Sequence, residues 1–424
     1  MNRLADYSSR FLILKGGKVS LVISGLLLGS SLNGAVLTYT GDGAITSLTE
    51  NSTLTISNAT YNIPSGTANA AFSITNASTY SLDIINNGIL NVTGLSTGIN
   101  IYYAADDSSV TNNGTINLNS GGDGIYMSLK ANDFIDNTAN GNIFVNGSNG
   151  SYAISLVSNS LGGTVTNSGT ITAKTNGELN HDAYSLFSFA NTNAITVNNS
   201  GTMNGNIRLT KGVLNNTGTV SLPYNVNNSS GFIQTFKNSG TLEIGLLTNG
   251  STTTYSQLYV GDIIFANNST LKVNVLPAST NVSTLVGTTL NYVIAAADSI
   301  TIDGVLNITD NSALLDFEYS LGTSGPAEFL NLTAVQAQSV GQTISGNNSN
   351  AQAAAGTLQT IVDNSASHSQ MNGVLTAFNG LSTNAQVEKA VDSTTPQTTT
   401  SSFTASNQIS NNVANIIVQR QNVN

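Results

Sequence analysis

The chain has 424 residues, 8 % of them charged, with a net charge of −10 and neither cysteine nor tryptophan. So acidic a chain repels nucleic acid and anionic lipid, which excludes both as partners. Intrinsic disorder is excluded as well: apolar residues reach 39 %, and short runs of Val, Ile, Thr and Leu alternate with Asn, Ser and Gly turn residues.

Residues 1–35 read as a secretory signal peptide. Arg3, Arg10, Lys15 and Lys18 form a basic leader, and Val19 to Leu32 follow without a charge. That apolar stretch is shorter than the roughly 20 residues a membrane helix needs. A buried N-terminal strand or helix is the competing reading. Without the leader, eight basic residues face twenty-one acidic ones, a net charge of −13. No later stretch is apolar enough for a membrane-spanning helix. The absence of cysteine fits export, since stray thiols cross-link in an oxidising compartment.

Residues 36–254 carry a repeated phrase: Asn, then Asn, Ser or Thr, then Gly, then Thr or Ile, then an aliphatic residue. It stands at Asn86-Asn87-Gly88-Ile89-Leu90, Asn112-Asn113-Gly114-Thr115-Ile116 and Asn167-Ser168-Gly169-Thr170-Ile171. It returns at Asn199-Ser200-Gly201, Asn216-Thr217-Gly218 and Asn238-Ser239-Gly240, with a degenerate copy at Asn140-Gly141-Asn142-Ile143. Successive glycines are 26, 27, 28, 32, 17 and 22 residues apart, the spacing of stacked solenoid coils. Asn-Gly and Ser-Gly tolerate the positive φ of a sharp turn. The next Thr-Ile starts a strand with its aliphatic residue inward, and the recurrent asparagine builds a hydrogen-bonded ladder along the stack. The expected fold is all-β, a right-handed parallel β-helix roughly 55–70 Å long. A β-sandwich with similar hairpin turns is the alternative.

Residues 255–336 continue the solenoid without the phrase. Leu271, Val273 and Val275 alternate with Lys272 and Asn274, as do Leu315, Phe317, Tyr319 and Leu321 with Asp316, Glu318 and Ser320. That period of two predicts strands with the apolar set inward. Residues 337–424 turn polar and weakly helical. Leu358, Ile361 and Val362 share one helix face, and Val374, Leu375, Phe378 and Leu381 another. Pro396 and the following Thr-Ser run break the pattern. A last helix is expected over Phe403–Gln421, with Ile409, Val413, Ile416 and Ile417 as its apolar stripe.

The order of these parts resembles a type V secretion autotransporter: an extended signal peptide, a pertactin-like β-helical passenger, a junction and an α-helical linker. Tyr259-Val260-Gly261-Asp262-Ile263-Ile264-Phe265, with Asn268-Ser269-Thr270-Leu271, is similar to the start of the passenger's C-terminal junction. Asp310-Asn311-Ser312-Ala313-Leu314-Leu315-Asp316-Phe317 is similar to its end, and Val391 to Gln397 with Phe403 to Arg420 resembles the segment entering the translocator pore. The resemblance implies an autochaperone-like role for 255–336. It also implies an outer-membrane translocator barrel as a partner that this chain does not encode.

Catalytic and metal-binding signals are weak. His181-Asp182 lies near serines, but no G-x-S-x-G elbow accompanies it, and it reads as an exposed loop pair. His368, among Ser367, Ser369 and Gln370, reads as solvated linker. Gly41-Asp42-Gly43 and Gly121-Gly122-Asp123-Gly124 are similar to calcium-binding turns, yet such turns need tandem copies to share ligands, so plain turns are expected. Asp106-Asp107 reads as a solvated acidic corner rather than a cation site. Lys130, Lys174, Arg208, Lys211, Lys237 and Lys272 are scattered, unlike the clustered charges of β-helical lyases. Asn411-Asn412 is similar to a self-cleaving pair inside translocator pores, in a chain where Asn pairs abound. No catalytic, cofactor-binding or metal residues are assigned. The expected function is non-catalytic adhesion or aggregation at the surface of a Gram-negative bacterium, with host-surface glycan or protein, or another copy, as partner. A fragment of a split gene and a secreted polysaccharide-active enzyme are the alternatives.

Overall fold

The structure, a computed structural model, describes residues 35–39, 52–56, 59–63 and 70–74, then 81–337 apart from short segments such as 157–161, 189–193 and 225–230. Beyond these it describes helical positions between 352 and 360, residue 381 and residues 384–394. Two compact units emerge, 1–311 with 316–335, and 312–315 with 336–424.

The first unit is a parallel β-helix. One coil lays Leu82–Asn86, Ile89–Val92 and Thr97–Ile101 on three successive faces. The next repeats them as Ser109–Asn112, Thr115–Leu118 and Gly122–Met127. The coils stack in parallel register, pairing Asn86 with Asn112, Leu90 with Ile116 and Ile99 with Ile125. From residue 206 onward the third and first faces share long bent strands. The first half of Asn206–Asn216 pairs with Ala183–Ser188 and its second half with Ile195–Asn199.

Period-two alternation fills the interior. Leu54, Ile84, Val110, Ile135, Val165, Val197, Leu214, Phe236 and Ile263 form one unbroken column of fully buried side chains. Leu90, Ile116, Ile143, Ile171, Met203, Val220, Leu242 and Leu271 form a second. Each such side chain contributes about 1.5–3 kcal/mol by leaving water. The aliphatic residue of every repeated phrase lies in this second column.

The corner between these two faces carries the phrase itself. Asn86, Asn112, Asn137, Asn167, Asn199, Asn216 and Asn238 stack one above the next. Each Nδ2 donates to the following Oδ1 at 2.7–2.8 Å. All seven are buried. The corner glycines form a parallel column, with Thr115, Asn142, Thr170, Thr202, Thr219 and Thr241 each donating a backbone N–H to the glycine carbonyl one coil below.

Two details of the corner differ from the sequence reading. None of the phrase glycines has a positive φ. They are glycines because a Cβ at Gly114, Gly169, Gly201, Gly218 or Gly240 would collide with the carbonyl oxygen of the glycine beneath. In the degenerate copy the ladder member is Asn137, not Asn140. Thr138, Ala139 and Asn140 form an inserted turn, closed by Gly141 N–H donating to Thr138 O at 2.8 Å.

Ser269–Val275 alternates as expected, with Leu271, Val273 and Val275 buried. In Leu315–Ser324 only Leu315 and Phe317 are buried, whereas Tyr319 and Leu321 are 39 % and 54 % exposed. The strand runs on past the apolar interior, so residues of the same parity meet solvent there. Ala327–Gln336 pairs antiparallel with the strand Thr289–Ile302.

In the second unit a helix spans Asn384–Thr394, burying Val387 and Val391 four residues apart on one face. Its last described residue is Thr394. Residues 1–34 of the signal peptide, the helix over Phe403–Gln421, and Leu358, Ile361, Val362, Val374, Leu375 and Phe378 of the expected faces lie outside the described residues. Among the described residues no helix is long and apolar enough to cross a membrane.

The corner predicts a ranking of substitutions. Asn167→Ala takes the donor from Oδ1 of Asn199 in the interior and leaves Nδ2 of Asn137 only its longer bonds to the Gly141 and Thr170 carbonyls, at 3.2 and 3.3 Å; it should cost about 3 kcal/mol. Asn238→Ala, at the end of the ladder, should cost less. Gly201→Ala should equal or exceed Asn167→Ala, while Gly177→Ala, with open space around it but a φ of +81°, should cost about 1 kcal/mol. Denaturant midpoints of the four variants check the order.

Candidate binding surface

Among the residues singled out from sequence, His181 Nε2 lies 3.2 Å from Asp182 Oδ2, with both side chains about half exposed. Asp182 is its one side-chain partner among the described residues, so the pair lacks the nucleophile a triad requires. His368, Asn411-Asn412 and Gly41-Asp42-Gly43 lie outside the described residues. Asp106 Oδ1 lies 3.4 Å from Lys130 Nζ of the next coil. Among the described residues no three His, Cys, Asp or Glu side chains converge as a metal site. Gly121 and Gly122, with φ of +81° and +93°, do make a turn, but Asp123 belongs to the strand Gly122–Met127 that follows.

The outer faces carry polar columns instead. Asn117 donates to Asn91 at 2.9 Å and Asn91 to Asn62 at 3.0 Å on the second face. Asn113 donates to Asn87, Asn215 to Asn198, Asn204 to Thr172 and Ser200 to Ser168, each across neighbouring coils. Near the far end Glu243 accepts from Ser221, Asn274 and Lys272 at 2.8–3.0 Å. The three bonds fix the half-buried Glu243 carboxylate in place.

The third face holds an aromatic cluster. Tyr152 and Tyr184 pair on adjacent coils and stack with centroids 5.5 Å apart and ring planes 20° apart. Phe187 meets them edge-on at 4.9 and 5.1 Å, and the Arg208 guanidinium lies 6.0 Å from the Phe187 ring. The stacked rings face one another along the coil axis, so they pack the surface rather than present flat platforms.

Asp123 stands one coil from Tyr152. Burial lifts its carboxyl to about 6, with the Ser155 hydroxyl pulling the other way. Tyr152 is raised in turn, by burial first and then by Asp123 and Asp182. Burial also raises Asp133 and Asp136.

Sequence reasoning missed this cluster. Asp123, Tyr152 and Tyr184 follow their corner glycines by 9, 11 and 15 residues, because loops of different length intervene. The phrase aligns the corners and says nothing of the face beyond a variable loop.

No protein-family model matches the chain, and no curated protein matches it.

Asp123 should make stability depend on pH. Its folded-state pKa lies above the unfolded value, so the folded form holds a proton that the unfolded form has lost. Stability therefore falls as pH rises from about 4 to about 6. Asp123→Asn should flatten that slope and raise stability at pH 7 by on the order of 2 kcal/mol. Asp133 and Asp136 leave a residual slope. Thermal melts of both proteins between those pH values decide it.

Proposed function

We propose that this chain is an exported, surface-displayed β-helical passenger that mediates adhesion or cell–cell aggregation and carries no catalytic activity of its own. The observation that supports it best is the set of in-register Asn, Ser and Thr columns on flat outer faces. A stacked amide uses one donor and one acceptor along the axis and keeps hydrogen-bonding capacity for a partner outside. Repetition at about 4.8 Å turns weak single contacts into a multivalent strip. The partner is a host-surface glycan or protein, or a second copy of the chain, and presentation is by an outer-membrane translocator barrel. The acidic balance keeps nucleic acid away.

The full chain joined to a translocator barrel and displayed on a non-adherent Gram-negative host should make cells clump or bind host surfaces. Asn91→Asp combined with Asn117→Asp places like charges opposite one another on the outer column and should weaken that behaviour, with a modest fall in Tm from their repulsion. Displayed wild-type protein that neither clumps cells nor binds would sink the reading.

A further inference from the structure

A recess of about 440 Å³ opens at the corner between the second and third faces, within the size range of ligand pockets. Its origin is a change of coil length. The coil from Asn199 to Asn216 advances only 17 residues, against 32 for the coil before and 22 for the coil after. Its second-face strand, Thr202–Asn204, stops at Gly205, whereas the neighbouring strands run on to Thr175 and Leu222. The short coil contributes no residue to the recess. Lys174, Glu178 and Leu179 line it from the coil before, and Tyr224, Leu247 and Leu276 from coils after.

The walls are held from behind. Ser256, fully buried, accepts the Gly245 N–H at 2.8 Å and donates to the Pro223 carbonyl at 2.8 Å, fixing the residue before Tyr224. Gly245 lets the Tyr224 backbone cross close above it, for a Cβ there would lie 2.8 Å from Tyr224 Cβ. Leu276 N–H donates to Leu246 O at 2.8 Å, and the buried Ser279 hydroxyl accepts from Thr248 N–H. The recess is therefore formed before any ligand arrives, which lowers the ordering cost of binding.

Its polar groups are uncommitted. Among the described residues the Lys174 ammonium, the Glu178 carboxylate and the Tyr224 hydroxyl have no hydrogen-bond or ion-pair partner, and the Tyr224 ring makes no ring contact. One donor cation and one acceptor anion on an apolar wall leave no net charge to attract an ion. The ligand group that satisfies both is a hydroxyl, which accepts from Lys174 and donates to Glu178. The ligand that joins several hydroxyls to an apolar C–H face is a pyranose, whose face fits the Tyr224 ring and the leucines.

We propose that the recess bounded by Lys174, Glu178, Tyr224, Leu247 and Leu276 is a binding site for a neutral hexopyranose, as a terminal sugar or disaccharide unit of a surface glycan. The inference rests on the adhesive reading for its biological setting and names the ligand class of that activity.

The test uses the full chain and a panel of methyl β-galactoside, methyl α-mannoside, lactose, maltose and cellobiose, with glucuronic acid and glucosamine as charged controls. Binding is measured by calorimetry and by saturation-transfer NMR. At least one neutral sugar should bind saturably and in preference to both charged ones. Tyr224→Ala should weaken it at least about tenfold, Glu178→Gln and Lys174→Met severalfold, and Tyr224→Phe little, since it keeps the ring. Leu247→Glu, on a partly exposed wall position, should block binding while the melting curve stays two-state. No saturable neutral-sugar binding, preference for a charged sugar, or binding indifferent to both Tyr224→Ala and Leu247→Glu would overturn the assignment. Displayed cells that still adhere with Tyr224→Ala would refute the recess and leave the adhesive reading standing. Sugar binding by a chain that never adheres would do the reverse.

Discussion

The buried amide-to-amide hydrogen bond at the coil corner is the constraint on which the rest depends. In-register parallel stacking places each side chain directly over its equivalent one coil away, so a polar residue that recurs at one buried position meets a copy of itself and needs a group able to pair with it. An asparagine amide meets that condition because it both donates and accepts. From Asn86 to Asn238 each interior member gives a proton to the next and takes one from the last. The ends close differently: Asn86 Oδ1 accepts the Gly88 N–H at 3.1 Å, and the stack passes to Ile56 below and Phe265 above. The glycine column follows from the same geometry, since drawing the chain close enough to link the amides leaves no room for a Cβ beside the carbonyl beneath.

Stacking also explains the composition. A charge repeated at one position would face its copy at about 4.8 Å along the whole rod, and like charges opposite one another destabilise a sheet. Thr, Asn and Ser carry the outer faces instead, and where charged side chains do meet across coils they are of opposite sign, as Lys272 with Glu243 and Lys130 with Asp106. The scarcity of charge is thus a property of the fold before it is a property of any partner.

The fixed corner frees the rest of each coil. Because the amide and glycine columns and the two apolar columns hold the register, chain length elsewhere varies from 17 to 32 residues per coil without breaking the stack. The shortest coil undercuts the surface, so the stack acquires a recess beside Tyr224 with its own chemistry. Surface features on such a scaffold come from differences between coils.

By itself the sequence determined the parallel β-helix, the inward aliphatic positions and the asparagine ladder, because all three depend on a local phrase that recurs at one corner. It even specified the glycines, though for close approach across coils rather than for a left-handed turn. Helix Asn384–Thr394 was not read from the sequence, because Val387 and Val391, two valines four residues apart, are a weak signal in a polar stretch. The place of Asn137 in the ladder, the exposure of Tyr319 and Leu321, the meeting of Asp123 with Tyr152 and the recess beside Tyr224 were decided only in three dimensions. Each depends on how far the chain travels through a loop before it returns to the stack. Loop length sets which residues on neighbouring coils meet, and no local pattern in the sequence encodes that distance.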